Sequence, residues 1–435
     1  MQEAVSALDG GETRQTLERV ETLSKRSKEA MDHAQDAGAW SRMRGAFPVL
    51  REGGYWNSGT CGPLPLRSLQ ALQEAQEQEL LVGRSAISGY LRFLKRQAHL
   101  HALLAPLLGA AEEEVIWTQN TTEGMNIVLW GLPWQAGDQI ITSDQEHMGL
   151  LAPLAQIHRR FGVDVRYLPF RGDAQEDAAL LEQAISPHTR LVALSHVSYL
   201  DGRRFAIEAV GPMCRARGIP LLVDAAQSLG VFPLDVKALQ IDFLAAPCQK
   251  WLCGPEGTGV LFVDRAWQSR LQPTFVGTFS MRNAGWYDQT APYYVPTEGA
   301  GRYLAGGRFR PLLEGLVASL EFLEAEVGWP WIFARIAAMV PKVREALESI
   351  EGVTVATPVG KEASLLAFRM EGVAPAAMTA VLEKEGMILR SVPANPPSLR
   401  VSVGFFHDTQ DIERLCEALQ RNAAILRESG RTERG

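Results

Sequence analysis

The sequence predicts an α/β protein: a large unit on a mostly parallel seven-stranded sheet, followed by a smaller α+β unit at the C-terminal end. Three observations predict it. Seven short apolar runs, at residues 114–118, 139–142, 163–168, 191–197, 220–224, 242–245 and 259–263, alternate with helical stretches, the rhythm of strands joined by helices on both faces of a sheet. Leu312, Leu316, Leu320 and Leu323 then mark a long helix over 311–327 that leads out of the main unit. Four further strand-like runs follow, at 353–356, 365–368, 388–391 and 399–403, separated by helical segments that begin near Pro375 and Gln410.

Taken in order, residues 1–45 are polar and charge-rich. Leu17, Val20 and Leu23 stand there at helical spacing, which predicts an extension containing one amphipathic helix. From Tyr55 the composition changes, and Cys61-Gly62-Pro63-Leu64-Pro65 punctuates the approach to a helix over 67–81. The expected division is an extension (1–45), a large unit (46–310), and a linking helix with a small unit (311–435). A chain of 435 residues exceeds what one hydrophobic core usually serves, which agrees with two units.

Composition narrows the function. An apolar fraction of 46% and a charged fraction of 21% belong to an ordinary globular protein, and a formal net charge of -7 offers no attraction to phosphate backbones, so nucleic acid is not an expected partner. No apolar run reaches the roughly 18 to 20 residues of a membrane span, and the N-terminus lacks the apolar core of a signal peptide, so the expected location is cytoplasmic. Cys61, Cys214, Cys248, Cys253 and Cys416 are odd in number and scattered, which fits reduced thiols rather than a disulfide framework or a metal site.

Ligands of such sheets bind beyond the carboxyl ends of the strands, and three polar clusters stand there. Asn120-Thr121-Thr122-Glu123-Gly124 opens a helix, whose unpaired N–H groups and two threonine hydroxyls suit a phosphate; Asn120 and Glu123 also make an N-cap pair that needs no ligand. Asp224 ends the apolar run Leu221-Leu222-Val223, where a carboxylate calls for a cation such as a protonated pyridine nitrogen; an N-cap or a magnesium ligand is the alternative. Lys250 sits among small and apolar residues in Pro247-Cys248-Gln249-Lys250-Trp251-Leu252-Cys253-Gly254-Pro255, a setting that lowers an amine pKa and favours imine formation with a carbonyl cofactor. A lone lysine near a strand end is usually only a surface charge.

The three clusters in this order resemble the class V aminotransferase family of pyridoxal-phosphate (PLP) enzymes, of fold type I, which includes cysteine desulfurases, cystine C-S lyases and isopenicillin epimerases. The resemblance spans about residues 55–419 and rests on Asp224-Ala225-Ala226-Gln227 followed by Lys250-Trp251-Leu252-Cys253-Gly254-Pro255-Glu256-Gly257-Thr258-Gly259. It implies that Lys250 binds PLP covalently and moves the substrate proton, while Asp224 keeps the pyridine nitrogen protonated. Gln227 would bond the phenolic oxygen and His147 would stack on the ring. Thr121, Thr122 and Gln249 would contact phosphate, and Arg308 would do so in a neighbouring subunit. Arg400, with Arg390 as a second candidate, would hold the substrate carboxylate, and Tyr199 would take the place of an asparagine common in desulfurases.

Two departures shape the functional expectation. No cysteine lies between Arg390 and Arg400, where desulfurases carry their sulfur-accepting thiol. The usual histidine before the lysine is Gln249, and a usual hydroxyl residue is Pro247. With Ile127-Val128-Leu129-Trp130-Gly131 and Glu146-His147-Met148-Gly149, the match is nearest to cystine C-S lyases. The expectation is a PLP-dependent lyase eliminating the β-sulfur of a cysteine- or cystine-like amino acid, working as a homodimer. Aminotransferase or epimerase chemistry on the same scaffold, or a non-catalytic PLP-binding homologue, are the alternatives.

Overall fold

A computed structural model of the protein describes residues 37–51, 54–282 and 294–432; the amphipathic helix expected around Leu17, Val20 and Leu23 lies outside them. All seven runs form strands: β1 (Val115–Thr118), β2 (Gln139–Ser143), β3 (Asp164–Leu168), β4 (Thr189–Ser195), β5 (Leu221–Asp224), β6 (Phe243–Pro247) and β7 (Gly259–Val263). They lie in the order β1-β7-β6-β5-β4-β2-β3. Only β7 runs against its neighbours; the other four pairings are parallel.

Parallel strands need crossovers, and the crossovers put helices on both faces, so residues on both sides of each strand are apolar. Along β4, Val192 and Leu194 enter one core cluster while Leu191 and Ala193 enter another. Helices α1 (Ala37–Gly45), α2 (Leu66–Val82) and α3 (Ile87–Leu108) precede the sheet, and α4 (Thr121–Gly131), α5 (Met148–Phe161), α6 (Ala174–Ala184) and α7 (Ile207–Ala216) connect its strands. Helix α3 is absent from the expectations, although Leu100, Leu104 and Leu108 recur every fourth residue and are all fully buried.

The long helix expected over 311–327 forms as α8 (Arg310–Phe322), extended by a wider π-helical turn at Leu323–Val327 and closed by Gly328 at φ 88°. After α9 (Trp329–Glu348), strands β8 (Val353–Val355), β9 (Leu365–Met370), β10 (Arg390–Val392) and β11 (Ser398–Ser402) make an antiparallel sheet in the order β10-β11-β9-β8. Helices α10 (Pro375–Lys384) and α11 (Thr409–Thr432) complete a third core with Ile336, Val343, Leu366, Val401 and Leu415. Arg44 on α1 reaches Asp411 through two bonds of 2.6 and 3.3 Å, which ties the first described helix to the last.

The segment after Gly54 links the two sheets. Trp56 donates its N–H to the Ile388 carbonyl and its own carbonyl accepts from the Ser402 N–H, so the chain passes between the ends of β10 and β11. It then turns at residues 57–62, and the Gly62 N–H donates to the Gln249 carbonyl at 2.7 Å. A Cβ on Gly62 would lie 1.9 Å from the Lys250 carbonyl oxygen, so only glycine lets this loop approach the lysine turn.

Candidate active site

At the carboxyl edge of the large sheet, a cavity of about 230 Å³ opens between β1, β2, β4, β5 and β6 on one side and the small sheet on the other. Its lining includes Thr121, Thr122, His147, Tyr199, Asp224, Gln227, Gln249, Lys250, Arg390 and Arg400, ten of the eleven residues singled out by sequence. The eleventh, Arg308, does not line it. Its Nη2 donates to Glu123 at 2.9 Å and its guanidinium lies 5.3 Å from the centre of the Trp117 ring, so within this chain it braces the outer side of α4.

Each side chain is placed by a strand end. Thr121 and Thr122 begin α4 directly after β1, where Asn120 Oδ1 accepts the Glu123 N–H at 2.9 Å. The Glu123 carboxylate in turn accepts the Gln119 N–H, so the capping pair and the cavity lining coexist. His147 is the N-cap of α5, its Nδ1 accepting from the Gly149 N–H at 3.0 Å. The ring meets Tyr199 edge-on, with centroids 4.8 Å apart, and burial holds its pKa down to about 4, so the imidazole is neutral.

Asp224 ends β5, buried, with Oδ1 accepting the Ala226 N–H at 2.8 Å; burial pushes its carboxyl up and the Lys250 ammonium opposes that. Lys250 lies in the turn after β6. Burial lowers its amine to about 8, against the pull of Asp224 and with the help of Arg400 and Arg390. About a tenth of this amine is therefore uncharged at pH 7 and about half at pH 8, and the uncharged form is the one that attacks a carbonyl. Gln227 is held at both ends of its amide, Nε2 donating to the Gly59 carbonyl at 2.9 Å and Oε1 accepting from Trp251 Nε1 at 3.1 Å.

The small sheet contributes cations. Arg390 and Arg400 are register partners on β10 and β11. Arg390 donates to Thr60 Oγ1 at 2.8 Å; Arg400 donates to the Tyr199 carbonyl at 2.6 Å, but its Nε and Nη2 are buried without a partner. Burial, with Arg390 beside it, lowers the Arg400 pKa to about 9. Among the described residues Asp224 is the only acidic one in the lining, and it faces Lys250, so two guanidinium groups face the cavity with no carboxylate of the described lining beside them.

Sequence reasoning missed Gly59, Thr60 and Ser195, which also line the cavity. Ser195 lies inside the run expected over 191–197, and only the observed end of β4 marks it as a strand-end residue. Gly59 and Thr60 sit in a turn with no periodic pattern, some 330 residues from the arginine that Thr60 binds. The arrangement suits a small carbonyl-bearing molecule with an anionic tail, held at the α4 N-terminus with its reactive carbon at Lys250, beside a second ligand that carries carboxylate.

Comparison with known proteins gives the same direction. The profile of the Aminotransferase class-V family matches residues 55–415. A probable cysteine desulfurase of Methanothermobacter thermautotrophicus is 28% identical over 88% of this chain and 98% of its own length. The cysteine desulfurase CsdA of Escherichia coli is 28% identical over 89% of this chain and 98% of its own. Among solved structures, the cystine C-S lyase C-DES in complex with its reaction product cysteine persulfide superposes with a TM-score of 0.80 at 29% identity, covering 86% of this chain and 99% of that one. A C-DES variant with glycine covalently linked to its PLP cofactor has a TM-score of 0.81 at 28% identity, covering 87% and 98%.

Proposed function

The chain belongs to the class-V aminotransferase family, and on that premise we propose that it is a PLP-dependent lyase that eliminates the β-sulfur of cystine or a similar amino acid. The observation that carries the reading is the cavity itself: a buried, partly uncharged lysine amine and a buried aspartate on one side, two unneutralised arginines on the other. PLP fits the donor set. Lys250 would meet its carbonyl, Asp224 its ring nitrogen, Gln227 its phenolic oxygen with the one amide proton left free, and Thr121, Thr122 and Gln249 its phosphate. Gln249 Oε1 is buried without a partner, and its amide end can be turned to donate.

When bound, PLP supplies an electron sink for the charge left at Cα. The chain's own residues do the rest. Arg400, with Arg390, takes carboxylate through paired charge-assisted bonds, and two such groups match an amino acid with a carboxylate at each end, as cystine has. Lys250 takes the α-proton at Nζ, and neutral His147 packs against the ring face. In the C-DES complex the product is cysteine persulfide, and the same partition of sulfur is proposed here. No thiol here is activated to accept sulfur: burial raises Cys61, Cys214, Cys248, Cys253 and Cys416 above the ordinary thiol range.

The reading includes a homodimer, with the large unit over 46–310 holding the cofactor and the small unit over 311–435 supplying the arginines. Leu80, Leu81 and Ile87, at 83%, 83% and 78% exposure, form an apolar patch at the α2–α3 connection. Arg310 donates to the Arg84 carbonyl there, so the patch adjoins the segment bearing Arg308, which in a dimer would face the partner's phosphate site. Among the described residues no helix is long and apolar enough to cross a membrane, and the five unpaired cysteines suit a reducing cytoplasm.

The test is an amino-acid panel read for pyruvate, ammonia and sulfur release, with Lys250→Ala as control. Cystine should yield pyruvate, and the control should lose at least about a thousandfold in kcat. Amino transfer or α-proton exchange with no sulfur product would sink the lyase reading.

A further inference from the structure

Directly before His147, Glu146 is buried at 3% exposure, and none of the ion pairs among the described residues includes it. Its partners are hydroxyls and an amide. Oε1 lies 2.5 Å from Ser143 Oγ, Oε2 lies 2.5 Å from Ser195 Oγ, and the Ser195 N–H donates to both oxygens at 3.0 Å. A carboxylate buried without a cation is costly, and burial pushes this one up to about 7, with the Asp224 charge on β5 adding to the rise. On its own turn, Asp144 is engaged outward by Arg171 at 3.1 Å.

As the structure draws them, both serine hydroxyls donate to the carboxylate, Ser143 Oγ to Oε1 and Ser195 Oγ to Oε2, the pattern of the ionised form. Ser143 Oγ also accepts the Gln145 N–H at 3.2 Å, which leaves its single proton directed at Glu146 Oε1. A proton taken up on Oε2 would reverse the other bond, Oε2–H donating to Ser195 Oγ and freeing the Ser195 hydroxyl proton, and Ser195 lines the cavity. If Glu146 loses its proton, the Ser195 hydroxyl must turn back to the carboxylate, and the cavity loses a donor.

We propose that Glu146 is a positioning residue that acts through Ser195: while it carries a proton it turns the Ser195 hydroxyl proton into the cavity, and when ionised it withdraws that donor. The effect on turnover rests on the PLP-lyase reading, but the proton itself does not. In the holoenzyme, kcat/KM for cystine should fall about tenfold as pH rises through 7, the expected worth of one hydrogen bond to a charged group. Glu146→Gln keeps a donor facing Ser195 Oγ, so the ratio of wild-type to Glu146→Gln kcat/KM should fall about tenfold from pH 6 to 8, a comparison in which the titrations of Lys250 and the substrate amine cancel. The ratio of Ser195→Ala to Glu146→Gln should stay constant over the same range. A wild-type to Glu146→Gln ratio that does not change with pH would overturn the proposal.

Infrared spectra of the cofactor-free protein separate the two ideas. A protonated-carboxyl band that titrates near pH 7 and is missing from Glu146→Gln is expected whatever the protein catalyses, and its absence from the wild type would refute the inference alone. A wild-type protein that shows this band but releases nothing from any amino acid would refute the lyase reading alone.

Discussion

The two walls of the cavity differ in how their polar groups are satisfied. On the large-sheet wall most groups already have partners within the protein: Gln227 is held by Gly59 and Trp251, Asp224 by the Ala226 N–H, and Glu146 by two serines. On the small-sheet wall, Arg400 keeps two buried nitrogens without a partner and Arg390 has only a hydroxyl. A wall whose groups are oriented in advance suits a resident molecule that must always sit one way. A wall that leaves cations unsatisfied suits a molecule that arrives and leaves.

That contrast can be broken by mutation. If Arg400 waits for a substrate carboxylate, Arg400→Leu should lower kcat/KM on the order of a hundred- to a thousandfold, because a buried charged bond to the ligand is lost. The same change should raise the Tm of the substrate-free protein, since it removes an uncompensated interior charge; replacement of buried ions by apolar groups often gains about 1–4 kcal/mol. A fall in Tm would show that Arg400 is structurally satisfied. Arg390→Ala tests the second cation. We expect KM to rise about tenfold for cystine and much less for cysteine, which has a single carboxylate; an equal rise for both would remove Arg390 from recognition of the far end.

The third prediction concerns the large-sheet wall. Since burial lowers Lys250 from 10.5 to about 8, the uncharged amine grows as pH rises toward 8 and levels off above it. Covalent capture of PLP by cofactor-free protein, followed by absorbance, should therefore accelerate about fivefold between pH 7 and 8. Continued tenfold gains per pH unit up to 10 would mean that the amine is not desolvated.

The same contrast explains what the sequence made legible. The large-sheet wall is built from residues that follow apolar runs, so position after a strand was enough to find Thr121, Asp224 and Lys250, while His147 and Tyr199 came through family resemblance, and Gly259–Val263 was bounded to the residue. The small-sheet strands β10 and β11 are only 3 and 5 residues long, and Arg390 and Arg400 were found through family resemblance rather than pattern. Contacts between distant segments left no local trace. The Arg308–Glu123 pair spans 185 residues, and the buried bonding of Glu146 depends on Ser195 on another strand. Helix α3 was legible in its leucine spacing and was overlooked.

Gly62 has a consequence for anyone who would remodel this protein. With only 1.9 Å between a notional Cβ and the Lys250 carbonyl oxygen, the loop at 57–62 and the lysine turn are shaped to each other like two halves of a mould. Loop exchange between relatives, the usual route to a new substrate range, would have to move both segments together; a graft of residues 57–62 alone that brings in any side chain at 62 would displace the lysine on which the chemistry depends.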